Sequence, residues 1–246
     1  MIKLLKVSWL NVKNGAYSKE FLLGIIAAFI YSMLWVLIVH PSKYGLDAYA
    51  FELGRFLYVI ILYAAVSTLR NDIRFNITKT VFTGVFSRIE IMMSKGIGLI
   101  IWGIIFFIIV ETNNVLVSCI LYKKIGIAGF LAFNHLQSFM SYIVITFTMG
   151  SLMLLIVSIM FNEKKSILFY IVLFSMINFY TSAITCIISK NPQLAERFST
   201  YMKTPFYNVV VLIQGNFDMK SVLINIVWGV IFLILSILIV NKREIK

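Results

Sequence analysis

Six runs of mostly apolar residues, at 21–39, 48–69, 96–120, 138–160, 166–188 and 221–240, divide this chain, and its charges gather in the short stretches between them. About 20 apolar residues rising about 1.5 Å each are enough to cross a hydrocarbon core about 30 Å thick. Lipid offers the backbone no hydrogen-bond partners, so runs of this kind have to be helices that satisfy themselves internally. All three prolines, Pro41, Pro192 and Pro205, fall in the connections, which fits uninterrupted helices. With 61% hydrophobic and 13% charged residues among 246, the expected class is all-α: a single polytopic domain, 1–246, with six transmembrane helices. The first run ends at His40-Pro41 without a cleavage pattern and is expected to be a retained helix rather than a signal peptide.

Lysine and arginine set the expected orientation. If both termini share one side, that side carries fourteen of them (Lys3, Lys6, Lys13, Lys19, Arg70, Arg74, Lys79, Arg88, Lys95, Lys164, Lys165, Lys242, Arg243, Lys246) against eight on the other. The bias predicts cytoplasmic termini. A net charge of +12 is then explained by topology and anionic headgroups, and no nucleic-acid partner is expected.

Two polar segments invite a functional reading. Residues 1–20 place Leu5, Trp9, Leu10 and Val12 near one face of a helix and Lys3, Lys6, Lys13 and Asn14 on the other, as in an interfacial helix. Such a helix serves either as a basic anchor or as a support for a partner beneath the bilayer. The segment 70–95 is too polar to span and too apolar for a solvated linker: Phe75, Ile77, Val81, Phe82, Val85 and Phe86 alternate with Asn76, Lys79, Thr80 and Arg88. It suits either a loop held on headgroups or a short amphipathic helix that docks a soluble motor. Residues 189–220 form the longest polar connection, and Pro205-Phe206-Tyr207-Asn208 before an apolar stretch suggests a partly inserted or surface-lying element.

Asp72, then Thr83-Gly84-Val85-Phe86-Ser87-Arg88, Glu90, and Lys95 opening the third span resemble the first cytoplasmic loop of ABC-2 type transporter permeases. The basic amphipathic start, six spans, long connection before the last span and basic tail resemble that family too, particularly its bacterial peptide exporters such as lantibiotic-immunity and phenol-soluble modulin permeases. The resemblance implies a multi-pass subunit of a bacterial cell membrane that works as a dimer, identical or mixed, with a separate ATP-binding subunit. It implies a coupling helix near Asn76–Phe86, with Asp72, Arg74, Asn76, Lys79, Phe82, Thr83, Gly84, Phe86, Arg88 and Glu90 at the contact. No cofactor is expected in this chain, ATP and Mg belonging to the partner. The substrate expected for spans rich in Phe, Ile, Leu and Met is amphipathic or hydrophobic, a peptide before a lipid-like molecule.

The chain carries no Gly-x-x-x-x-Gly-Lys-[Ser/Thr] phosphate loop, no His-Glu-x-x-His and no Gly-x-Ser-x-Gly, so no enzymatic activity is expected of it. The competing reading is a motor-independent membrane substrate-binding module or channel. His40 and His135 lie in connections and read as surface residues. Cys119 and Cys186 read as small apolar packing residues, although both stand near span ends on the same side, where a disulfide is conceivable.

Ionisable groups within spans need a reason, because a charge at mid-bilayer costs roughly 3 kcal/mol. Glu111 stands sixteen steps, about 24 Å, beyond Lys95 and is followed by Asn113 and Asn114. These residues either line a translocation path or pair with a neighbouring helix or cap. Glu52 and Arg55 are spaced for an i, i+3 pair, the arginine reaching to the interface. Gly24 and Ala28 would allow close helix approach on the first span.

Overall fold

A computed structural model describes residues 2–74, 87–160, 162–213, 215 and 217–242, with side chains for all but 2, 3, 68–74 and 163. The described residues are helical, with no strand among them. Six helices are long and apolar enough to cross a membrane, so the chain is an all-α polytopic membrane protein. In chain order the helices are α1 (Ile2–Ala16), α2 (Lys19–Leu34, with a wide π turn over Trp35–Val39), α3 (Leu46–Arg74) and α4 (Arg88–Ile120). They continue with α5 (Gly126–Ala132), α6 (His135–Met160), α7 (Glu163–Lys190), α8 (Ser199–Met202), α9 (Pro205–Ile213) and α10 (Met219–Lys242). The spanning helices are α2, α3, α4, α6, α7 and α10. One end of the bundle, here called distal, carries connections 40–45, 121–134 and 191–218; the proximal end carries α1, the start of α4 and the end of α10.

Every expected span is present, each starting two to eight residues earlier than expected. The largest change is at the third, where α4 starts at Arg88 rather than at 96 because a capping box closes its first turn. Ser87 Oγ accepts from the Glu90 amide at 3.2 Å while Glu90 Oε2 accepts from the Ser87 amide at 2.8 Å. Lys95 therefore lies inside the second turn of α4, 4% exposed, and does not open the helix as the family resemblance implied. The second span covers Leu46–Ser67, close to the expected 48–69, and its helix α3 runs on through Arg74.

α6 occupies the axis of the bundle, with fifteen buried residues from Ser141 to Ser158, and packs most extensively on α10 and α4. Glycines permit this. A methyl group at Gly103 would collide with the backbone of Ile143, at Gly150 with Leu99, and at Gly229 with Phe147. Gly24 is different: a Cβ there would meet Ile60 at an ordinary 3.5 Å, so the α2–α3 contact, in which Ala28 is fully buried, is not the tightest in the bundle.

α1 lies against α4, where Ser8 Oγ donates to the Ser94 carbonyl at 2.7 Å and Val12 is buried. Leu5, Trp9 and Leu10 remain exposed. The expected apolar face is therefore split: Val12 belongs to the core and the other three face outward. α9 is inserted between α3, α6, α7 and α10 and buries Pro205, Asn208, Val209, Val210 and Leu212.

Candidate functional site

Three regions hold the polar chemistry. The first is a joint at the proximal end. Arg88 Nη1 donates to the carbonyls of Val240 at 3.2 Å and Asn241 at 3.3 Å, placing a cation on the open C-terminal carbonyls of α10. Together with the Ser87–Glu90 box and the Ser8–Ser94 bond, this ties the middle of α1 and the start of α4 to the end of α10. Arg88 and Glu90, expected at a partner contact, thus also have intramolecular roles. Asp72 and Arg74 fall in the last turn of α3, with side chains outside the described ones. Asn76, Lys79, Phe82, Thr83, Gly84 and Phe86, and with them the expected coupling helix, lie outside the described residues.

The second region is distal and polar. Glu111 Oε2 meets His135 Nδ1 at 2.8 Å, across from α4 to the first residue of α6, and His135 Nε2 lies 3.0 Å from the Phe130 carbonyl. The histidine expected to be a plain surface residue therefore bridges two elements, and Glu111 makes a contact with the neighbouring helix. Asn113 and Asn114 are both fully buried, with no hydrogen-bond partner for their amide groups among the described residues. Nearby, Asn208 holds α9 in place: Nδ2 donates to the carbonyls of Met202 at 2.8 Å and Thr204 at 2.6 Å, and Oδ1 accepts from Ser221 Oγ at 2.7 Å. A cavity of about 680 Å³ opens beside it, lined in part by Lys203, Lys220, Tyr207 and Gln137. Burial, and then Tyr201, push the Tyr207 phenol above its ordinary range, so it stays a neutral donor.

The third region is a lateral groove between α3 and α7. Tyr58 and Asn178 belong to both of its compartments, an apolar one of about 830 Å³ and a more polar mouth of about 410 Å³. Tyr58 forms part of the wall by donating to the Phe174 carbonyl at 3.2 Å. Arg55 stands at the mouth, its Nη1 3.3 Å from Glu52 Oε2, which also accepts from the Tyr31 hydroxyl at 3.1 Å. The pair expected from the i, i+3 spacing is thus present, and its members differ sharply: the Glu52 side chain is 4% exposed and that of Arg55 57%. A buried carboxylate holds the base of an outward-facing guanidinium. Ser175, Asn178 and Ser182 were not singled out as functional; their 3 and 4 spacing is a polar stripe on α7 that sequence periodicity alone could have exposed.

Cys119 and Cys186 are free and exposed, so the conceivable disulfide is not formed. No group of three or more His, Cys, Asp or Glu among the described residues could hold a metal ion. No family model matches the chain, and no curated protein matches it.

Proposed function

We propose that this chain is the membrane-spanning permease subunit of an ATP-driven exporter of the ABC-2 kind, moving amphipathic or hydrophobic substrates, peptides foremost, with ATP hydrolysed on a separate subunit. The observation that carries this reading is the proximal joint. Segment 75–86 leads directly into α4 through the Ser87–Glu90 box, and Arg88 links that turn to the end of α10. A push on the segment therefore moves α4 and α10 together, and both pack on the axial helix α6. A second permease copy belongs to the proposal because α6 fills the axis of one chain, which leaves a substrate route to run along the bundle's outside, between copies.

Affinity co-purification of the tagged chain from its native membrane tests this. Wild type is expected to bring down an ATP-binding subunit that Gly84→Asp/Arg88→Glu does not. A folded wild-type chain that retains no ATPase in mild detergent moves the motor-independent module to first place.

A further inference from the structure

A cavity of about 90 Å³ at the distal end is enclosed by the starts of α3 and α6, the end of α9 and Val110 of α4. Its walls carry hydrogen-bonding groups that the fold leaves unused. Ser141 and Tyr142 line it, are only 7% and 9% exposed, and make no side-chain hydrogen bond among the described residues. Leaving buried hydroxyls without partners is costly, and an occupant of the cavity would supply them. Gly54 shows where one of these hydroxyls sits: a Cβ there would stand 2.9 Å from Tyr142 Oη and 3.6 Å from the Ile213 carbonyl oxygen, so hydroxyl and helix end face one spot.

The surroundings suit a cation. Asp47 is the sole charged side chain among the described lining residues, and its carboxylate has no hydrogen bond or ion pair among them. Leu212 and Ile213 close α9 at the wall, which brings the negative end of that helix dipole to the cavity. The amide end of α6 at the mouth is already capped, Asn134 Oδ1 accepting from the Gln137 amide at 3.1 Å. Phe51, Phe133 and Phe217 complete the lining, and aromatic faces beside oxygen acceptors favour an organic cation over a bare metal ion. Arg55 lies 5.7 Å from the Phe51 ring but lines the neighbouring cavity, where it is paired with Glu52.

Size narrows the choice. At about 30 Å³ for each water, the space holds about three waters, or an ammonium group and the first methylenes of its stem. The cavity of about 680 Å³ beside Asn208 shares Gln137, Gly215 and Phe217 with it, so the body of a larger molecule has room next door.

We infer that the small cavity binds the primary ammonium group of an amine, its charge on Asp47, its protons shared with the Ser141 and Tyr142 hydroxyls, and its stem leading to the larger cavity. A lysine side chain and a peptide N-terminus both carry such a group. The site stands whether or not the chain couples to an ATPase.

Thermal melts of the purified full chain in neutral detergent test this, because a ligand that binds only the folded state raises the melting temperature. n-Butylammonium chloride at neutral pH is expected to stabilise wild type beyond equal concentrations of sodium chloride or n-butanol. Asp47→Asn, at an exposed position, is expected to raise the concentration needed about tenfold, and Tyr142→Phe about threefold. Asp218→Asn, which changes a carboxylate of the larger cavity alone, is expected to respond as wild type does. Stabilisation by Nα-acetyl-lysinamide assigns the cavity to a lysine side chain, and by leucinamide to a terminal amine. Equal effects of butylammonium and sodium chloride on wild type overturn the assignment. So does stabilisation that survives Asp47→Asn undiminished, or that Asp218→Asn abolishes as fully.

Discussion

A buried polar side chain is worth most where all its partners are present, and Asn208 is such a case. Its amide and carbonyl make three bonds joining α9 to the preceding turn and to α10. Asn208→Leu leaves the Met202 carbonyl and the Ser221 hydroxyl without this partner and is expected to cost about 1–3 kcal/mol, read as a lower melting temperature in detergent. Asn113 and Asn114 are the opposite case, buried with no such bonds among the described residues. Asn114→Leu is therefore expected to be milder than Asn208→Leu, and an equal or larger loss of thermal stability would show that the Asn114 amide is hydrogen-bonded in the folded protein. At Glu111 the bond to His135 makes a structural demand. Glu111→Gln keeps a hydrogen-bonding group there and should leave any transport activity intact; abolished transport with unchanged folding would assign Glu111 to the translocation path.

Between elements, helix contacts are decided by where small residues fall. Gly103 and Gly24 look alike in sequence, each a glycine among apolar neighbours in a span, but a methyl at Gly103 meets the Ile143 backbone, which cannot yield without moving α6. Gly24→Ala is expected to be neutral or to stabilise by up to about 1 kcal/mol through helix propensity. Gly103→Ala should destabilise despite the same gain in propensity, and side-by-side thermal melts check the sign. The proximal joint is also a contact between elements. Arg88→Ala removes the cation from the end of α10 and is expected to loosen residues 237–242, seen as faster amide hydrogen exchange there than in wild type.

For the whole molecule, the distribution of lysine and arginine predicts that the distal end faces outward. The chain carries its own reporters, because Cys119 and Cys186 are free, exposed and near the distal ends of α4 and α7. A membrane-impermeant maleimide applied to intact cells is expected to label wild type and not the Cys119→Ser/Cys186→Ser variant. Labelling only after lysis reverses the orientation.

Much of this architecture was legible in the chain of residues alone. Lipid is a demanding solvent that admits only long apolar helices with their backbone bonds closed, so composition and run length by themselves determined the class, the six spans and their approximate limits. The Glu52–Arg55 pair was readable too, because neighbours three apart on one helix meet whatever surrounds them. Contacts between distant segments were decided only by the tertiary structure. His135 looked like a surface residue until α6 brought it to Glu111, 24 positions away, and Arg88 found the end of α10 more than 150 positions on. Val12 parted from Leu10 because α4 covers one side of α1. Helix periodicity states which residues share a face; which helix covers that face depends on how all six pack, and that is where the groove between α3 and α7 arises.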